Sequence, residues 1–161
     1  MTVQYPVLFE GKVLRGLGLG SSKAVPTVNI DPDSNVALIS QLGSGVFAGF
    51  LWIGETSSKN DYQRQGFLSV FHIGIAVGHD ELTLEVNIID DSYSGEDCHN
   101  KYAFLLCVGK IRDQLKFENS DEGFALLRQQ IKSDVSTAHK MLEDNISFGS
   151  TLLSSVSDLT T

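Results

Sequence analysis

Thr27 and Asn29 stand two residues apart in the stretch Pro26-Thr27-Val28-Asn29. A glycine-studded run, Arg15-Gly16-Leu17-Gly18-Leu19-Gly20-Ser21-Ser22-Lys23, leads into them. In a strand, residues i and i+2 share a face, so the Thr hydroxyl and the Asn amide point the same way. Both offer neutral oxygens, the ligand type that Mg²⁺ accepts beside substrate phosphates. Glycines at alternate positions let a backbone take φ > 0 and approach a ligand closely. Successive N–H groups in such a loop form an anion-binding concavity. A phosphate cradle beside cation ligands is an arrangement for nucleotide chemistry. The same residues are also compatible with a bent connection into a strand that starts at Pro, where no ladder N–H is needed. The run is not a P-loop, because no Gly-Lys-Ser/Thr follows at the required spacing, and it lacks the Gly-x-Gly-x-x-Gly fingerprint.

The second chemical landmark is Leu82-Thr83-Leu84-Glu85-Val86-Asn87-Ile88-Ile89. Its apolar residues alternate with Thr83, Glu85 and Asn87, which form the opposite face. A carboxylate there is either a solvent-facing residue on a half-exposed strand or a general base held on a rigid element, as deprotonation of an attacking hydroxyl requires. Directly after it comes Asp90-Asp91-Ser92-Tyr93-Ser94-Gly95-Glu96-Asp97, turn-rich and acidic. That segment reads as a solvated hairpin loop or as a flap over a site, with Tyr93 supplying an aromatic surface.

The elements that must position these residues are mostly strands. Candidates run from Pro6 to Leu14, Thr27 to Ile30, Gly45 to Ile53, Phe67 to Val77, Leu82 to Ile89 and Tyr102 to Ile111. Each is rich in β-branched or aromatic residues and bounded by Gly, Asp or Ser. Six strands at this spacing point to a closed or nearly closed antiparallel barrel. Val46-Phe47-Ala48-Gly49-Phe50-Leu51-Trp52-Ile53 is apolar on both faces, so it should lie between the barrel interior and something packed outside. A helix expected from about Ser120 to Glu143 supplies that cover. Phe124, Leu127, Ile131, Val135, Ala138 and Leu142 make its apolar stripe. Asn119 and Glu122 form a plausible capping pair at its start. Residues 1–144 thus read as barrel plus helix. Residues 145–161 are Ser/Thr-rich and weakly patterned, and are expected to be a loose tail with a short helical turn near Leu152, dispensable for stability.

With 161 residues the chain suits one domain with a real core. No apolar run approaches a membrane span. The N-terminus shows neither a basic nor an apolar region of a secretory signal. Two cysteines, Cys98 and Cys107, are too few for a disulfide scaffold or a structural zinc site and read as reduced. A cytoplasmic setting is the expectation. The net charge of −8 argues against nucleic acid as a partner. It leaves a nucleotide ligand open, since local amides and a cation can hold a triphosphate inside an acidic protein.

Taken in order, these pieces resemble the riboflavin kinase (flavokinase) family over about residues 7 to 142. Gly11-Lys12-Val13-Leu14-Arg15-Gly16-Leu17-Gly18 is similar to the family's opening strand and glycine loop, and Pro26-Thr27-Val28-Asn29 to its Pro-Thr-Ala-Asn signature. Ser44-Gly45-Val46-Phe47-Ala48-Gly49 resembles its Thr-Gly-Val/Ile-Tyr-x-Gly strand. Glu85 stands where the family has the Glu of Glu-Thr-His. Tyr93-Ser94-Gly95 resembles the Tyr-Gly of the next loop with one residue inserted. Arg112 with Lys116-Phe117 is similar to Arg-x-x-x-Lys/Asn-Phe, and Gln130-Ile131, Asp134-Val135 and Ala138 follow at family spacing. Departures are Lys23-Ala24-Val25 where the family has Leu-Gly, and Asn87 where it has His.

The resemblance implies a mainly β fold, a six-stranded antiparallel Greek-key barrel with one C-terminal helix packed on it. It implies ATP-dependent phosphorylation of riboflavin at the ribityl 5′-hydroxyl, giving FMN and ADP. Glu85 is then the catalytic base, and Thr27 and Asn29 hold Mg²⁺ or another divalent ion such as Zn²⁺ or Mn²⁺. Gly16, Gly18, Gly20, Ser21, Ser22, Lys23, Tyr93 and Arg112 are the cofactor-binding residues. Arg112 is open to two roles, flavin contact or support of the barrel–helix junction. The chain is too short to include the adenylyltransferase domain of bifunctional relatives, so it is expected to be monofunctional. It is also expected to be a monomer with no nucleic-acid or membrane partner. Two rivals are a non-catalytic flavin- or nucleotide-binding barrel and a protein-interaction module of the same fold. The intact Thr27, Asn29 and Glu85 set disfavours the first, and the acidic composition weakens the second.

Overall fold

Alternating apolar residues fold this chain into strands that close on themselves. The strands are β1 (Val7–Leu14), β2 (Thr27–Ile30), β3 (Gly45–Gly54), β4 (Phe67–Ile75), β5 (Leu82–Ile88) and β6 (Tyr102–Arg112). The computed structural model describes residues 4–14, 26–62, 64–75, 81–93 and 100–150. Around the barrel the order is β1-β2-β5-β4-β3-β6, and β6 returns to β1; every pairing is antiparallel. Because β2 pairs with β5 rather than β3, and β3 with β6, the connectivity is a Greek key. The strands expected from the sequence all form, with ends within a residue of those expected; Val77, the expected end of β4, lies outside the described residues. Among the described residues no helix is long and apolar enough to cross a membrane.

Two cores follow from the period of two along each strand. Phe9, Phe47, Phe71, Leu84, Val86 and Leu105 fill the barrel interior, with Phe47 stacked on Phe71 at a centroid distance of 5.2 Å. The residues between them, Val46, Ala48, Phe50, Trp52, Val70, Phe104 and Leu106, face outward under the long helix α2 (Asp121–Asp144). β3 is therefore buried on both faces, as its unbroken apolar run required.

The cover over that outer core differs from the expected stripe. Only the C-terminal half of α2 packs. Ala138 and Leu142 are fully buried, with Val135 and Met141 beside them. Phe124 (42% exposed) and Ile131 (37%) are covered far less than these. Asp134 marks the point of contact. It is buried and takes a two-pronged bond from Arg112 at the end of β6, with Arg112 Nε at 2.9 Å and Nη2 at 2.8 Å. The helix cap also moves by one residue. Ser120, not Asn119, accepts the Gly123 N–H, at 3.0 Å. The chain doubles back so tightly there that a Cβ at position 123 would run into the Glu118 carbonyl.

A helix that the strand-dominated reading passed over, α1 (Val36–Leu42), plugs the barrel end where β2 leaves and β3 enters. Its signals are present in the sequence. Asp31 accepts the Asp33 N–H at 2.9 Å over a 3-10 turn that begins at Pro32, and Gly43 ends the helix with φ +72°. Asn35, buried in this connection, pairs with the backbone of Glu10: its Oδ1 accepts at 3.0 Å and its Nδ2 donates at 2.9 Å. One side chain thereby closes the seam that β1 and β2 leave open beyond their two paired residues.

Past α2 comes α3 (Ile146–Ser150), at the start of the segment expected to be loose. Phe148 joins the outer core, the Gly149 carbonyl accepts the Gly66 N–H at 2.9 Å, and Gly149 lies against the Phe50 ring. Residues 151–161 lie outside the described residues.

Candidate active site

The polar residues singled out on β2 and β5 come together on the outer surface of the barrel. Val28 and Ile30 point inward, so Thr27 and Asn29 must point outward; Leu84, Val86 and Ile88 do the same for Glu85 and Asn87. The register sets Thr27 opposite Asn87 and Asn29 opposite Glu85. Residues directly opposed on an antiparallel pair lie roughly 4.5–5.5 Å apart at Cα. All four side chains are half-buried. A two-strand ribbon thus presents a hydroxyl, two amides and a carboxylate as one patch. The Thr27 hydroxyl donates to Asn87 Oδ1 at 3.1 Å.

On the far side of Glu85 stands His72 of β4, also in register and half-buried. The sequence reading did not single out His72. Its signal was parity: it is the one imidazole on the outward face of β4, which is otherwise Leu68, Val70 and Gly74. The row continues through Val46 of β3 to Arg112 of β6. Arg112 therefore shares a row with Glu85 but lies three strands away, and its guanidinium is engaged by Asp134 and by the Asp113 carbonyl. Gln130 also donates to Asp134, at 3.0 Å. That geometry is the barrel–helix junction.

Tyr93 turns its ring edge to Phe67 at 5.1 Å, and Arg64 lies over the same Phe67 ring at 3.5 Å. Asp90 anchors this corner by accepting the Leu68 N–H at 3.0 Å and both the N–H and hydroxyl of Ser92. Burial pushes the Asp90 carboxyl up, but these hydrogen bonds and the nearby Arg64 charge pull it further down, below the usual carboxylate value.

Gly16, Gly18, Gly20, Ser21, Ser22 and Lys23 lie outside the described residues. Their described neighbours do locate the segment's ends. Leu14 pairs with Asn29, and the Pro26 carbonyl accepts the Ile88 N–H at 2.9 Å. Asn100, which follows the second such segment, donates to the Val13 carbonyl at 2.9 Å. Leu14 and Pro26, the described residues on either side of the first segment, thus lie at the end of β2 where Thr27 faces Asn87.

The donor set limits what metal could be held. Among the described residues, no three His, Cys, Asp or Glu side chains converge to cage an ion. Thr27 and Asn29 offer two neutral oxygens on one face, which fits a hard cation that keeps water and phosphate as its other ligands.

Comparison with known proteins follows the same outline. The flavokinase family model, described as riboflavin kinase, matches residues 3–142. A curated riboflavin kinase of Pyricularia oryzae is 27% identical over 150 residues, covering 86% of this chain and 72% of that protein. A crystal structure of riboflavin kinase from Trypanosoma brucei aligns with a TM-score of 0.60 at 25% identity, over 86% of this chain and 80% of the other. A macrolide-efflux protein from Streptococcus pneumoniae aligns with a TM-score of 0.56 at 23% identity, over 83% of this chain and 38% of its own length, and shares the fold alone.

Proposed function

The chain belongs to the riboflavin kinase family, and from that premise we propose that it runs phosphoryl transfer on the outer face of β2 and β5. The protein phosphorylates riboflavin at the expense of ATP. The observation that carries the residue roles is the register: Asn29 faces Glu85 across one strand pair, with Thr27 on the same face.

In this reading Glu85 orients the ribityl 5′-hydroxyl and accepts its proton. The hydroxyl oxygen forms a bond to the γ-phosphorus while the bond from that phosphorus to the β,γ-bridging oxygen breaks, and ADP leaves. Positioning and electrostatics supply most of the rate in such transfers. Thr27 Oγ1 and the Asn29 amide oxygen hold a divalent cation, which when bound neutralises charge on the phosphates. Neutral oxygen donors favour Mg²⁺ or Mn²⁺ over Zn²⁺. The segment from Gly16 to Lys23, whose flanking residues lie at the Thr27 end of β2, supplies N–H groups to the ATP phosphates.

The uncovered face of α2 belongs to the acceptor. Leu127 and Ile131 continue the face that packs at Asp134, yet nothing of the barrel covers them fully. In this reading they offer the isoalloxazine ring an apolar surface. Arg112 acts by pinning α2 through Asp134 rather than by touching flavin. Tyr93 steadies the base of the neighbouring loop against Phe67. The substrates are small and the net charge is −8; the reading takes the enzyme as a cytoplasmic monomer without nucleic-acid partners, which sedimentation of the purified chain tests.

Glu85→Gln keeps the shape and one acceptor oxygen but loses the basicity. It should lower kcat by roughly 10²–10⁴-fold, the usual contribution of a general base. Riboflavin Kd and the melting temperature should stay close to the parent values. Normal turnover by this variant removes Glu85 from the mechanism.

A further inference from the structure

Asn87 faces Thr27 in register, and its carboxamide oxygen accepts the Thr27 proton at 3.1 Å. A Thr hydroxyl has one proton and two acceptor lone pairs. Where that single proton points decides whether the oxygen can ligate a cation, because a proton aimed at the ion blocks the lone pair. With the proton committed to Asn87, Thr27 Oγ1 can meet a cation only through a lone pair. We infer that Asn87 is a positioning residue for the cation site, acting through Thr27 by fixing its hydroxyl as an acceptor-only ligand. The inference rests on the reading of Thr27 as a cation ligand.

The chemistry selects an acceptor at position 87. Asn87 is the residue two places after Glu85, so both side chains leave the same face of β5. One strand therefore carries the base and the group that orients the metal ligand. Val70 on β4 is the partner of Asn87 on its other side and has no polar side-chain atom to offer. A carboxamide also adds no charge to a patch that already holds Glu85. Outer groups of this kind polarise the ligand they hold, and their loss usually weakens metal binding about 10–100-fold. A purely structural Thr–Asn pair would instead stabilise the sheet and leave cation affinity alone.

The test is a Mn²⁺ titration of the full chain with ADP present, read by the paramagnetic signal of free Mn²⁺, so that no turnover is needed. Thr27→Val, Asn87→Leu and the double variant are compared with the parent, with thermal melts alongside. Asn87→Leu should raise the Mn²⁺ dissociation constant about tenfold or more. The double variant should be no weaker than Thr27→Val alone, since both changes remove the same ligand. Asn87→Asp, which keeps the acceptor, should bind Mn²⁺ at least as tightly as the parent. If Asn87→Leu melts far below the parent, Asn87→Ala takes its place in the comparison. Parent-like Mn²⁺ affinity in a folded Asn87→Leu or Asn87→Ala protein, with Thr27→Val weakened, overturns the role of Asn87 and leaves the metal reading standing. Parent-like affinity in Thr27→Val overturns both.

Discussion

Asp90 shows how one side chain ties the site's edge to the barrel. Its carboxylate bridges the start of β4 and the turn that leads to Tyr93. Its folded pKa is lowered, so it contributes stability above its unfolded value, about 4, and loses that contribution as pH falls through the folded value. Acid unfolding of the parent should therefore steepen below about pH 4. Asp90→Asn should be less stable than the parent at neutral pH, and the gap should narrow as the pH drops; denaturant midpoints at a series of pH values check this. At this scale the sequence was readable wherever a side chain's chemistry is local. Thr27, Asn29, Glu85 and Asn87 could be assigned to polar faces by alternation alone. What alternation could not supply is who faces whom. The bond from Thr27 to Asn87 spans sixty residues, and His72 joins Glu85 only through the β4–β5 register.

The helix α2 illustrates the same limit for an element. Its 3.6-residue period correctly marks one apolar face, but period says nothing about where along its length that face meets a partner. The contact begins at Asp134 and runs to Leu142. Leu142→Ala should cost about 2–5 kcal/mol, the range for emptying a buried Leu site. Ile131→Ala should cost well under half of that and should instead weaken riboflavin binding. Urea unfolding and flavin fluorescence titration separate the two effects; equal stability losses would mean that the whole stripe is packed. α3 takes residues 146–150 out of the segment expected to be loose, through two specific contacts. Phe148 enters the outer core and Gly149 accepts from Gly66. Truncation after Asn145 should therefore lower the melting temperature by several degrees, as a loss of about 1–2 kcal/mol does in a domain of this size. An unchanged melt would make the turn dispensable.

For the whole molecule, strand count and barrel closure were legible because six apolar runs bounded by turn residues must hide their edges. The pairing of β2 with β5 was not, since only the resemblance carried the Greek-key order. That crossover builds the proposed site. It brings Thr27 and Asn29 of one strand against Asn87 and Glu85 of another. The α1 plug closes the barrel end where β2 leaves, and Asn35 seals the seam beside it. The barrel interior is thus filled by side chains, and the proposed chemistry lies on the outer wall of β2 and β5. A barrel that only binds flavin could share all of this geometry, so turnover is the deciding observation. The purified chain, incubated with riboflavin, ATP and Mg²⁺ and analysed by chromatography, should produce FMN and ADP in equal amounts. Retention of unmodified riboflavin by a folded, flavin-binding protein under those conditions would contradict the account.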